Sequence, residues 1–209
     1  MTPLPHSVPL VLDLDDTLIR SDATVEQVWA GIGADPVGTV RLLWQHRKDR
    51  PALKAALVER YPLDVTRLPY DPDVLALAEQ TRQEGRPLII ASGSDQTTVE
   101  AVAEHLGGID LALGSTPGGY LTGKNKTAAL IERYGKGGYD YAGDSGKDPP
   151  VWKEARTAYA ARLDRFAKAR FAAKGLDLVH VGETWRWADL FKALRPHQWL
   201  KNILLLLPV

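Results

Sequence analysis

Cysteine is absent from this 209-residue chain. That excludes disulfides and thiolate metal sites, and leaves oxygen and imidazole as the available ligands. No charge of one sign is in excess: 26 Lys and Arg balance 26 Asp and Glu. A net charge of zero gives no global field to draw in nucleic acid or acidic partners. The five histidines show no metal-site spacing, so His105 and His180 read as structural or surface residues. Internal repeats and low-complexity tracts are absent. So is a secretory signal, because the Pro-rich N-terminus is uncharged apart from the terminus and His6 and reaches Asp13 too early. The N-terminal domain therefore reads as cytoplasmic. The apolar run at residues 203–209 is seven residues long, too short to span a bilayer.

What is present is globular: 44% hydrophobic and 25% charged residues, in a length that suits one domain plus a small insertion. The apolar run Val8-Pro9-Leu10-Val11-Leu12 ends in Asp13-Leu14-Asp15-Asp16-Thr17-Leu18. An apolar run ending in carboxylates reads as a buried strand with acids at its carboxyl end, where ligands bind in open α/β sheets. Asp13 and Asp15 would repel each other unless a cation sits between them or one holds a proton. The first condition suggests a divalent metal, the second a general acid beside a carboxylate nucleophile.

Helical spacing of Val25, Val28, Trp29 and Ile32 follows, and Pro36 and Pro51 sit where further helices could begin. Trp29 and Trp44 are expected in the core of this insertion. Its basic run, Arg41, His46, Arg47, Lys48 and Arg50, reads first as a solvated helix face. The functional alternative is that it meets an anionic substrate or lipid headgroups. Leu68-Pro69-Tyr70-Asp71-Pro72 is a turn-rich return to the core. Beyond it come a helix over 73–84, a strand over 87–91, a helix from Asp95 to about Leu106, a strand over 111–113, a helix over 126–134 and a strand over 139–142. Such alternation predicts a three-layer α/β fold with a mainly parallel sheet.

The chemistry-bearing residues fall at strand ends or helix starts. Asp13 can attack phosphorus, and Asp15 can protonate the leaving oxygen and later deprotonate water. Ser92 offers a hydroxyl and Gly93 a backbone N–H to phosphoryl oxygens. Lys126, or alternatively Lys124, can neutralise charge on Asp13 and the phosphoryl group. Asp144 and Asp148 complete an all-oxygen site suited to Mg2+. Asp16 reads as a turn carboxylate. Gly118–Asn125 is a near miss to a P-loop, with Asn125 where a hydroxyl would hold Mg2+.

In this order the residues resemble the haloacid dehalogenase (HAD) superfamily over residues 8–182. Asp13-Leu14-Asp15-Asp16-Thr17 meets its first motif, Ser92 the second, Lys126 the third, and Gly143-Asp144-Ser145-Gly146-Lys147-Asp148 the fourth. The resemblance implies a Rossmann-like core over 1–19 and 69–182, with a helical cap over 20–68 between the first two motifs. It also implies an aspartyl-phosphate intermediate on Asp13. Mg2+ would be held by Asp13, the backbone carbonyl of Asp15, and Asp144, with Asp148 supporting the metal waters or Lys126. An acid at Asp15 points within that family to phosphatases and phosphomutases rather than dehalogenases.

The tail carries a second resemblance. Leu194-Arg195-Pro196-His197-Gln198-Trp199-Leu200-Lys201-Asn202 looks like the approach to the first membrane helix of UbiA-type prenyltransferases, some of which carry an N-terminal HAD domain. Leu68–Pro72 and Asp140–Ser145 also look like that fused subgroup. The expectation is an amphipathic juxtamembrane segment over 183–202, the start of a membrane helix over 203–209, and a prenyltransferase domain in cis. The domain would then work on the cytoplasmic side of the membrane, on a small-molecule or lipid-linked phosphomonoester. The alternatives are a phosphomutase or phosphotransferase using the same intermediate, or a regulatory module of a membrane enzyme.

Overall fold

Leu10–Leu12 form β1, and every residue of this strand is buried. In the computed structural model, which describes residues 7–144, 148–161 and 165–182, β1 lies in the middle of a six-stranded sheet. The other strands are β2 (Leu88–Asp95), β3 (Leu111–Ser115), β4 (Asp140–Gly143), β5 (Ala158–Ala161) and β6 (Leu178–Val181). Their order is β3-β2-β1-β4-β5-β6 and every pairing is parallel. The expected three-layer α/β fold is present, with a sheet that is wholly rather than mainly parallel. The chain winds outward in both directions from β1. The crevice at the carboxyl ends of β1 and β4 is therefore the topological switch point, where such sheets bind ligands.

Side-chain alternation assigns the two faces. Leu10, Leu12, Leu88, Ile90 and Ala142 pack on one side with Val74 and Ala78 of α4 (Pro72–Gln83) and Val99 and Val102 of α5 (Gln96–Leu106). Val11, Ile89, Ala91 and Tyr141 pack on the other with Leu130 of α6 (Lys124–Tyr134) and Trp152 of α7 (Pro149–Glu154). A last helix, α8 (Arg165–Ala172), places Phe171 edge-on to Trp152. At the amino-terminal edge of β4, buried Asp140 accepts from Arg86 and Arg156.

Between β1 and α4 the chain forms three helices: α1 (Ala23–Ala34), α2 (Pro36–Gln45) and α3 (Arg50–Arg60). Pro36 and Pro51 stand at their helix starts, where a missing N–H costs nothing, and Asp22, Asp35 and Asp49 cap the three N-termini. Leu42, Leu57 and Tyr61 form a small core of their own with Val28, Leu53 and Ala56. The two chain ends of this insertion meet at an antiparallel bridge between Ile19 and Tyr70. Arg20 Nε bonds buried Asp71 at 3.0 Å beside it.

Trp29 and Trp44 correct the expectation that they belong to the core: they are 65% and 67% exposed. Helical spacing identifies a stripe, but a cap only one helix thick leaves some stripes without a partner. The expected segments at 183–202 and 203–209 lie outside the described residues, as do Ser145, Gly146 and Lys147. No helix among the described residues is long and apolar enough to cross a membrane.

Candidate active site

The site starts where β1 stops. Asp13 N donates to Ala142 O at 2.9 Å, tying the first residue beyond β1 to β4. The chain then makes a wide turn over Leu14–Leu18, closed by Leu18 N to Asp13 O and Ile19 N to Leu14 O. Asp16 sits in it at φ 55°, a left-handed conformation that Asp tolerates better than most residues. Asp16 is exposed and lines the mouth of the cleft.

Asp13 is buried, and its Oδ2 lies 2.9 Å from Lys126 Nζ. Burial pushes the Asp13 carboxyl up to about 6 against the pull of Lys126, with Asp148 adding to the rise. Lys126 lies in the first turn of α6 and is almost fully buried, whereas Lys124 is exposed. Burial alone would depress the Lys126 ammonium, but Asp13 and Asp148 override it and hold the pKa above its ordinary value. A buried cation is tolerated only when paired in this way.

Tyr141 joins the group from β4. Its hydroxyl accepts from Lys126 Nζ at 2.8 Å and donates to Asp148 Oδ1 at 2.7 Å. Asp148 Oδ2 accepts from the Asp144 backbone N–H at 2.9 Å. Asp148 is therefore no simple cap of α7: its side chain makes no cap bond there. Burial raises its carboxyl to about 6, while Lys126 and Tyr141 pull the other way. Tyr141 escaped sequence reasoning, yet the register carries a signal. Val11 pairs with Tyr141, and Asp13 is two residues beyond Val11, so Tyr141 lies on the face of Asp13.

Asp15 occupies the other wall. Its Oδ1 accepts from Ala23 N at the start of α1, and its Oδ2 accepts from Ser94 Oγ at 2.6 Å and Ser92 Oγ at 3.3 Å. Burial, with the charge of Asp22 added, raises its carboxyl above the ordinary range, against the Ser94 bond. Ser94 was also missed; it is two residues after Ser92 on the same strand. The strand is irregular there. Ala91 pairs with Leu113 and Asp95 with Ser115, so four steps along β2 match two along β3. At this bulge Gly93 lines the cleft, while Ser92 and Ser94 are buried and turn their hydroxyls to Asp15. A Cβ at Gly93 would stand 2.3 Å from Thr122 Cγ2, so a larger residue there must displace the Thr122 side chain. β2 runs to Asp95, beyond the Ala91 end expected from its apolar run.

The cleft has a volume of about 230 Å³ and is lined by Asp13, Asp15 and Asp16, by Gly93, and by Lys126 and Asp144. Asp22 and Lys54 enter from the cap, and Tyr120, Thr122 and Gly123 from the glycine-rich loop before α6. That loop is thus a wall of the cleft. None of the basic run Arg41–Arg50 lines it. Lys54 does, with its Nζ 2.6 Å from Gly93 O and 5.8 Å from the Tyr120 ring centre. Only the fold could single out Lys54, because one lysine on a charged helix is ordinarily solvated.

Asp13, Asp144 and Asp148 each bring a carboxylate oxygen within 4.8 Å of the others. Hard oxygen donors at this spacing suit a divalent cation of the Mg2+ type. The Asp15 carboxylate stays out of this group; its expected metal contact was through the backbone carbonyl.

No protein-family model matches the chain. It is 33% identical over 206 residues to an uncharacterized protein of Sinorhizobium fredii, covering 98% of this chain and 40% of that protein. The chain thus spans two fifths of the length of that relative. Among solved structures it is similar to a HAD family hydrolase from Salmonella enterica serovar Typhi: TM-score 0.59, 15% identity, 88% of this chain and 71% of that one. A phospho-aspartyl intermediate analogue of phosphoserine phosphatase gives 0.56 and 17%, over 90% of this chain and 98% of that one. A predicted phosphatase from Clostridium acetobutylicum gives 0.57 and 14%, with the same coverage. The fold matches that of HAD phosphatases.

Proposed function

We propose that this chain is a divalent-metal-dependent phosphomonoester hydrolase of the HAD kind, with Asp13 as nucleophile and Asp15 as general acid/base. The observation that carries the reading is the division of two neighbouring acids between two environments. Burial raises both carboxyls, but Asp13 is ion-paired to Lys126 at 2.9 Å, whereas Asp15 is held by the Ser94 hydroxyl and the Ala23 N–H. Two carboxyls pushed into different roles by their surroundings suit nucleophile and acid.

An Asp13 oxygen attacks phosphorus, and the phosphorus–oxygen ester bond breaks. The departing alcohol takes a proton from Asp15. Asp15 then accepts a proton from the water that attacks the aspartyl phosphate, inorganic phosphate leaves, and Asp13 is restored. Lys126 neutralises charge beside Asp13, and Ser92 with the Gly93 N–H serves the phosphoryl oxygens. Asp13, Asp144, Asp148 and the Asp15 carbonyl would hold Mg2+, which when bound supplies Lewis-acid countercharge to the phosphoryl group. The cap carries Lys54 and Asp22 over the leaving-group side and excludes water during the first transfer.

The substrate reading rests on the tail: a prenyl-linked or sugar phosphate, handled beside a UbiA-type transferase in cis at the cytoplasmic face of a membrane. What supports it is the resemblance of Leu194–Asn202 to the approach to a UbiA-type membrane helix. The test is phosphate release with Mg2+ from p-nitrophenyl phosphate, sugar phosphates and prenyl-linked phosphates, run beside Asp13→Asn. A loss of about a thousandfold or more in the variant is expected for a missing nucleophile. Undiminished turnover would sink the assignment, and phosphoryl transfer to a second alcohol in place of water would make the enzyme a phosphotransferase.

A further inference from the structure

Two buried acids compete for one buried cation at the floor of the cleft. Lys126 Nζ lies 2.9 Å from Asp13 Oδ2 and 3.7 Å from Asp148 Oδ1. The first is a hydrogen-bonded ion pair; the second is within ion-pair reach but too long for a hydrogen bond. Buried charges are poorly screened, so an ammonium is drawn to both carboxylates. Between Lys126 and Asp148 stands the Tyr141 hydroxyl. It accepts from Lys126 Nζ at 2.8 Å and donates to Asp148 Oδ1 at 2.7 Å. A hydroxyl can do both, because it has one donor and two acceptor lone pairs.

The fold fixes this hydroxyl. Tyr141 is fully buried on β4 in register with Val11 of β1, and its ring belongs to the cluster that contains Ile89, Leu130 and Trp152. Gly143, two residues on, makes room for the arrangement: a Cβ there would run into Asp148 Oδ2 and into Tyr141 Cε1, the latter at 2.7 Å. Asp148 is held from its other side, where Oδ2 accepts from the Asp144 N–H at 2.9 Å. A buried tyrosine hydroxyl ordinarily needs one partner. This one bridges a cation and an acid that lie near enough to pair directly.

We propose that Tyr141 is a positioning residue for Lys126: its hydroxyl holds the ammonium on Asp13 and keeps it off Asp148. The catalytic consequence rests on the proposed phosphatase chemistry, whereas the contact itself does not. Lys126 lines the cleft. Held on Asp13, it stays beside the nucleophile where the phosphoryl group arrives. Asp148 then remains with Asp13 and Asp144 as an acid that can share a divalent cation. Without the hydroxyl, Lys126 and Asp148 each lose a buried partner, and a direct ion pair between them replaces it. The ammonium then moves toward Asp148 and away from Asp13.

Tyr141→Phe removes only the hydroxyl and tests this in three ways. In a crystal structure of the variant, Lys126 Nζ should contact Asp148 directly and stand farther than 2.9 Å from Asp13. By calorimetry with MgCl2 present, inorganic phosphate should bind the variant about tenfold more weakly, the scale of one charged hydrogen bond. The kcat for p-nitrophenyl phosphate should fall about tenfold, and more MgCl2 should not restore it. Lys126 unmoved on Asp13 in the variant would overturn the proposal. Activity recovered by MgCl2 would overturn it too, by moving the role of Tyr141 to the cation site. Lower stability with phosphate binding and kcat unchanged would make Tyr141 structural only, and is equally fatal. Should the variant not fold, a structure of the parent with MgCl2 and inorganic phosphate decides: Lys126 must keep Tyr141 and Asp13, and a shift to Asp148 overturns the proposal. A parent that releases no phosphate from any phosphomonoester ends the phosphatase reading, while the two structures still decide what the hydroxyl does.

Discussion

The Lys54 ammonium donates to the carbonyl oxygen of Gly93 at 2.6 Å, linking the cap helix α3 to the bulged end of β2 across the mouth of the cleft. On the proposed function, this cation lines the cleft where an anionic phosphomonoester would bind. Lys54→Met keeps the aliphatic stem and removes the charge. The expected outcome is a KM for phosphomonoesters about tenfold higher with a smaller change in kcat, the scale of one charged hydrogen bond in a partly solvated site. Steady-state kinetics measure it. A fall in kcat alone would show that Lys54 acts on the chemical step instead of on binding.

Gly93 and Thr122 form a pair that can be tested together. Gly93→Ala drives a methyl against Thr122 Cγ2, and overpacking of this kind costs about 1–3 kcal/mol. Thr122→Ser removes the obstructing methyl. The double variant should regain most of the stability lost by Gly93→Ala, measured by urea unfolding. Additive losses would mean that the constraint at Gly93 lies elsewhere.

Divalent cation should stabilise the fold through the three clustered acids. At about a hundredfold excess over Kd a ligand adds roughly 2.7 kcal/mol, a rise of a few degrees in Tm for a chain of this size. MgCl2 should raise the Tm of the parent and leave that of Asp144→Asn nearly unchanged. Equal rises in both would remove Asp144 from the cation site.

Asp140 lies far from the chemistry and gives a pH signature. Its burial opposes ionisation, but Arg156 and Arg86 outweigh burial and hold its carboxyl below the ordinary value. A depressed folded pKa means that its stabilisation is complete above the unfolded value near 3.8 and is lost as pH falls through the lower folded value. Asp140→Asn should cost about 2 kcal/mol at pH 7, less than a fully buried pair because Arg156 is half exposed. The gap between parent and variant in urea midpoints should hold from pH 7 to 5 and narrow progressively below pH 4. A gap of unchanged size at pH 3 would assign the loss to packing.

Much of the fold was legible because strong local signals agree with it. The apolar runs of β1 and β2 and the prolines at the starts of α2 and α3 are each one-dimensional statements. The acids at the end of β1 and the lysine of α6 could be picked out because such groups are out of place beside buried strands. Ser94 and Tyr141 were harder. Their roles depend on a two-residue bulge and on the register between β1 and β4, and neither is a property of a single segment.

Trp29, Trp44 and Lys54 mark the boundary most clearly. Periodicity put all three on helices and could go no further. Which way each points depends on where the cap packs against the core: Lys54 inward to Gly93, the tryptophans outward. The sequence by itself therefore determined the strand and helix order, the acidic strand end and the chemistry its residue types permit, because those follow from local pattern and covalent spacing. Only the tertiary structure decided which acid pairs with Lys126, which is held by Ser94, and which cation closes the cleft. Those choices arise from burial and from contacts between segments distant along the chain.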